Sequence, residues 1–75
     1  MDSVINDRFL KAVGKNIRRI RRQRNVSMEK LALVSNIGSR QLGRIERGEV
    51  NASIISILRI SKGLDINILF LFEFE

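Results

Sequence analysis

Residues 39–49 read "SRQLGRIERGE", and the position of Glu46 among three arginines decides how the chain must fold. Successive side chains on an α-helix are about 100° apart, so a helix here sets Arg44 and Arg47 within roughly 40° of Arg40. Leu42 and Ile45 fall on the far side. Glu46 belongs with the apolar pair, which aims its carboxylate at the interior. A carboxylate there needs a cation, because desolvating an unpaired charge is costly. Arg21 is the natural candidate: it lies one turn beyond Ile17 on the margin of an apolar stripe, and its planar fork suits a carboxylate at two points. The residues alone leave a second reading open, a solvated glutamate that merely softens a basic cluster.

Working outward, the chain contains no proline, and five helices with short connections are expected. Phe9, Val13, Ile17 and Ile20 form the stripe of a first helix over about Asn6 to Arg24, with Lys11, Lys15, Arg18, Arg19 and Arg22 around its other side. Gly14 in its interior costs about 1 kcal/mol relative to Ala, which points to close approach by a neighbouring helix. Asn25 tolerates the left-handed conformation that ends a helix. Ser27 caps a second helix with Leu31, Ala32 and Ser35 inward, although Lys30 rules out a capping box. Asn36, Ile37 and Gly38 form a tight turn with Ile37 plugging inward. The third helix runs from about Ser39 to Arg47 and ends at Gly48. Ser53 caps a fourth, with Ile54, Ile57, Leu58 and Ser61 expected inward. After a break near Gly63 to Asp65, Asn67 caps a short last helix.

The chain has 75 residues, the size of one small domain spanning 1–75. A core of that size leaves a thin margin of stability, so self-association is expected to help. Lys and Arg number 14 against 8 Asp and Glu, a net charge of +6 that favours a polyanionic partner. Eight of the basic residues fall in the first 24 positions. Cys and His are absent, which removes disulfides, thiolate and imidazole chemistry and the usual zinc sites. No enzyme, metal, cofactor or small-molecule ligand is therefore expected. The start, MDSVINDRF, carries acids where a signal peptide needs a basic region, which suggests a cytoplasmic chain. The longest apolar run, Ile68 to Phe72, is far short of the roughly 20 residues a membrane span requires.

A short helix, a three-residue turn and a second helix with an outward polar stripe make a helix-turn-helix over about residues 27–48. The sequence resembles the phage-repressor and Cro type, the XRE family, from Gly14 to Phe72. The resemblance rests on Gly14, Ile17, Arg18, Ile20 and Arg21, on Ser27, Leu31 and Ala32, on Leu42 through Gly48, and on Ser53, Leu64 and Leu71. It implies an all-α, five-helix, lambda-repressor-like fold and a sequence-specific regulator of transcription bound to double-stranded DNA. In that family the positions of Arg21 and Glu46 commonly form a salt bridge. Ser39, Arg40 and Arg44 match sites that touch base edges, with Gln41 close enough to join them. As arginines, Arg40 and Arg44 suit guanine O6 and N7. Backbone contacts are implied at Met28, at the amino end of the second helix, at Arg47 and at Asn51. Some positions depart from the family: Met28 replaces a frequent glutamine that donates to phosphate, Gly38 a frequent Ser or Asp cap, and Gly43 a frequent serine, which loosens the third helix.

The Asn-Ala-Ser at 51–53 and the short chain resemble the controller proteins of restriction-modification systems. Phe70, Phe72 and Phe74 crowd the tail, and one short helix cannot hide apolar groups on all sides. A two-fold contact through Leu69, Phe72 and Phe74, in a segment of about 66–75, makes a homodimer with recognition helices about 34 Å apart. The alternative for these rings is packing onto the first helix, and residues 72–75 also alternate as a short strand would. Two other functions stay open: an antitoxin-like module whose tail binds a partner protein, and a non-specific basic binder.

Overall fold

The computed structural model describes residues 3–74, with the side chains of residues 3 and 5 left out. Glu75, the last residue of the expected tail contact, lies outside the described residues, as do Met1 and Asp2. Four α-helices, α1 (Ser3–Gln23), α2 (Met28–Ser35), α3 (Ser39–Glu46) and α4 (Ile54–Gly63), are followed by a 3-10 helix at Ile68–Phe72. Helix α1 starts three residues before the expected Asn6, since nothing in its first turn breaks a helix.

Helices α2 and α4 begin at serine caps. Ser27 Oγ accepts from the Lys30 amide at 3.1 Å and Ser53 Oγ from the Ser56 amide at 3.1 Å, while Gly38 precedes α3 with no side-chain cap. All four α-helices end the same way, with one residue at positive φ: Asn25 (56°), Asn36 (56°), Gly48 (69°) and Asp65 (57°). In each, the next amide reaches back five residues: Val26 to Arg21, Ile37 to Ala32, Glu49 to Arg44 and Ile66 to Ser61, at 2.9–3.1 Å. This double closure satisfies carbonyls that a helix end would otherwise orphan. It also turns Val26, Ile37 and Ile66 back onto the core, where each is half-buried.

The core joins Val13, Ile17 and Ile20 of α1 to Leu31, Leu42, Ile45, Ile57, Ile60, Leu64 and Leu71. Helix α1 crosses the end of α3 at Gly14, where a Cβ would lie on the carbonyl oxygens of Ile45 and Glu46. Only a bare Cα permits this approach, which explains a glycine that local propensity disfavours.

Three expectations change. Ile54 is 67% exposed and Leu58 also faces outward, while Ser56, Ile57, Ile60 and Ser61 are buried. Apolar residues surround α4, so its inner face is chosen by contact with α2: Gly63 packs beside Ser35, Leu31 and Val34. Phe9 is 50% exposed and stands outside the core, stacked on Phe72 (centroids 6.3 Å apart, planes at 7°) and tilted against Phe74 (6.0 Å, 58°). The last element is a 3-10 helix in place of a fifth α-helix. Asn67 caps it through the Leu69 amide at 2.9 Å, and Asn16 Nδ2 donates to the carbonyls of Phe70 (2.9 Å) and Leu71 (3.0 Å), tying off its end. Glu73 and Phe74 follow without strand pairing, and the described residues contain no strand.

Gly14→Ala should destabilise the protein by about 1–3 kcal/mol in urea unfolding despite its better helix propensity, because the methyl overpacks the α1–α3 crossing. Equal stability of the variant and parent would contradict the crossing as described.

Candidate nucleic-acid interface

The geometry of α3 follows from what holds its inner side. Arg21 Nε donates to Glu46 Oε2 at 2.7 Å and Arg21 Nη2 to Glu46 Oε1 at 3.0 Å. Both residues are buried, with Arg21 8% and Glu46 7% exposed. A third donor, Arg21 Nη1, reaches the Val26 carbonyl at 3.0 Å, so one guanidinium joins α1, α3 and the α1–α2 connection. The hydrogen bond to Glu46 raises the Arg21 pKa above its ordinary value, so the cation is held charged.

With Leu42, Ile45 and Glu46 turned inward, Ser39, Arg40, Gln41 and Arg44 are all exposed on the other side of α3. The ion pairs found among the described residues are Arg21–Glu46 and Arg47–Glu49, and neither involves Arg40 or Arg44. These two guanidiniums can therefore present their full donor forks outward.

Arg47 is placed differently. It caps the carboxyl end of α3, and its Nε donates to Glu49 Oε2 at 2.7 Å. That hydrogen bond holds the Glu49 carboxyl below the usual carboxylate range. An exposed pair of this kind contributes little to stability, and the Arg47 side chain lies back toward Gly43. A Cβ on Gly43 would stand 3.0 Å from Arg47 Nη1 and 3.3 Å from Met28 Sδ. Gly43 is buried at the crossing of α2 and α3, so its lack of a side chain serves close packing against Met28. Met28 is half-buried against the core, and its thioether has no N–H to offer a phosphate. Asn51 is exposed in the loop before α4, at the edge of an apolar groove that Phe9, Ile54 and Phe72 also line. Leu69 is 64% exposed, Phe72 half-buried and Phe74 exposed at its margin.

Asn16 escaped the sequence reading. It is 3% exposed and accepts from Arg19 Nε at 3.2 Å while its amide holds the 3-10 helix. The available signal was a polar residue three after Val13 and four before Ile20, on the apolar stripe itself.

The profile of the helix-turn-helix family matches residues 17–71. Among solved structures, the restriction-modification controller protein C.AhdI from Aeromonas hydrophila is 35% identical, with a TM-score of 0.83 over 84% of this chain and 96% of that one. The restriction-modification controller protein C.Esp1396I, solved as a tetramer in complex with its natural 35 base-pair operator, is 34% identical, with a TM-score of 0.80 over 87% of this chain and 86% of that one. An HTH_3 family transcriptional regulator from Vibrio cholerae is 25% identical, with a TM-score of 0.85 over 89% of this chain and 38% of its own. No curated protein sequence matches the chain significantly.

Glu46→Gln should lower stability by ~3–5 kcal/mol by stranding the buried guanidinium, whereas Arg21→Met with Glu46→Leu should recover most of the loss. Thermal melting reads both, at roughly 4–8 °C per kcal/mol for a domain of this size. A single variant that melts with the parent would show that the pair carries no such weight.

Proposed function

Because this chain belongs to the helix-turn-helix family of the phage-repressor (XRE) type, we propose that it is a transcriptional regulator that binds double-stranded DNA in a sequence-specific way. The observation that carries this reading is the two-sidedness of α3: Leu42, Ile45 and Glu46 buried behind, Arg40 and Arg44 exposed in front. A helix of 8 residues held from behind fits the major groove, where an arginine fork matches guanine O6 and N7. In this reading Ser39, Arg40, Gln41 and Arg44 face base edges. The first-turn amides of α2 at Met28, the Arg47 guanidinium and Asn51 face phosphates. Met28 contributes through its backbone, since its side chain packs inward.

The regulator acts as a homodimer on a near-palindromic operator, and its system is restriction-modification, the one its relatives C.AhdI and C.Esp1396I control. Such a protein works in the cytoplasm, and no helix among the described residues is long and apolar enough to cross a membrane. The two-fold contact lies at the tail, with Leu69 as its exposed anchor and Phe72 and Phe74 beside it on Phe9. Leu69→Glu should convert a dimer to a monomer in analytical ultracentrifugation and weaken operator binding while leaving helix content unchanged. A variant that sediments as the parent does would move the contact elsewhere.

Selection of bound duplexes from a random pool should yield two half-sites about one DNA turn apart. On the selected site, Arg44→Ala should cost ~1–3 kcal/mol and relax preference at one position. Arg47→Ala should weaken all sequences alike and reduce the salt slope by about 1. A pool that shows no enriched sequence would sink the reading.

A further inference from the structure

The exposed face of α1 is almost entirely cationic. Arg8, Lys11, Lys15, Arg18, Arg19 and Arg22 lie within about 100° of one another around the helix, on the side away from Val13, Ile17 and Ile20. Asp7 is the one acid among the exposed residues of this face. Lys11 and Lys15, Lys15 and Arg19, and Arg18 and Arg22 stand at i,i+4, where like charges destabilise a helix by a few tenths of a kcal/mol per pair. None of the six is in either ion pair found among the described residues. The carboxyl half of the ridge forms one side of an open groove lined by Lys15, Arg18, Arg19 and Arg22 together with Glu73 and Phe74 of the tail. Arg19 is held there: Nε and Nη2 both donate to Asn16 Oδ1, and Asn16 is buried and anchored by the Phe70 and Leu71 carbonyls.

A face that stores repulsion between like charges, and fixes one guanidinium through a buried amide, is relieved by a polyanion laid along it. A protein partner would be expected to find apolar anchors at the centre of its contact; here the exposed apolar groups are Val4, at the amino end of the face, and Phe74, from the tail. Apart from the adjacent Arg18 and Arg19, the cations instead follow one another at about 4–6 Å along the axis, a linear array suited to a chain of phosphates. We propose that this face of α1 is a second DNA-backbone-binding surface, separate from α3, in which Lys15, Arg18, Arg19 and Arg22 contact phosphates and Asn16 positions Arg19. The choice of DNA over other polyanions rests on the function proposed above.

The test uses the full chain and a labelled random-sequence duplex, titrated over a range of salt concentrations. Lys15→Gln, Arg18→Gln and Arg22→Gln combined should melt no lower than the parent, since they remove repulsion and leave Arg19 bonded to Asn16. The combined variant should lose about 2–3 from the slope of log K against log salt, at ~0.9 per phosphate contact. Its ratio of preference for the selected operator over random duplex should stay within about 3-fold of the parent's. Arg40→Ala with Arg44→Ala should show the converse, losing the ratio and keeping the ridge's share of the slope. If the combined variant binds random duplex with the parent's affinity and slope, the ridge is not a phosphate surface, and an acidic protein becomes its better partner. Failure to select any operator would overturn the function of α3 and leave this slope measurement valid.

Discussion

The Arg21–Glu46 pair is the constraint on which the remaining geometry turns. Three donors of one guanidinium reach two carboxylate oxygens and the Val26 carbonyl, which fixes α1, α3 and the turn between α1 and α2 in one frame. Two apolar residues of similar volume could hold the same helices together as strongly, because desolvating an ion pair offsets much of its attraction. They would do so with less control of rotation. A planar fork accepted at two points specifies the angle of α3 about its own axis, and that angle decides whether Arg40 and Arg44 face solvent or core. Gly14 supplies the matching condition, since it lets the backbone of α3 come down onto α1.

The frame is small, so the helix ends matter as much as the core. Each α-helix stops in the left-handed region and returns an amide to its last turn. Three of the four stops use Asn or Asp, whose short polar side chains tolerate a conformation that most residues resist. In three of them the residue that follows is a branched aliphatic, which closes the edge of the core. Turning the chain and sealing the core are thus one local device, repeated at 25–26, 36–37 and 65–66. At Gly48 the same closure leads to Glu49, which goes outward to Arg47.

Charge is divided by element. Helix α3 turns its cations away from a buried acid, α1 carries its own along a face with a single acid, and the tail is acidic and aromatic. The aromatic tail does more than extend the chain: Phe72 and Phe74 roof Phe9, and Asn16 binds the backbone just before them. A contact between α1 and the 3-10 helix thereby sets both the apolar edge near Leu69 and the position of Arg19 on the basic ridge.

What the sequence determined by itself were properties that depend on neighbours a few residues away. Ser27, Ser53 and Asn67 cap helices because a side-chain oxygen meets an amide two or three residues on, and Asn25, Asn36 and Gly48 stop them because of their own backbone preferences. The polarity of α3 was legible because its charged and apolar residues separate cleanly at the helical period, and Glu46 stood out as the acid on the wrong side for solvent. Tertiary structure alone decided the rest. Helix α4 is apolar on nearly every side, so no periodicity could tell that Ile57 and Ile60 go in while Ile54 and Leu58 stay out; the bare Cα of Gly63 against α2 settled it. Phe9 continued the stripe of α1 but ran past the end of the core, where the tail rings cover it. Gly43 looked like a weakness in α3 until Met28 came to lie against it. The last turn is tied to α1 by an amide 54 positions earlier that shares the Phe70 carbonyl with the Glu73 amide, and contacts over that distance leave no periodic mark on the residues that make them.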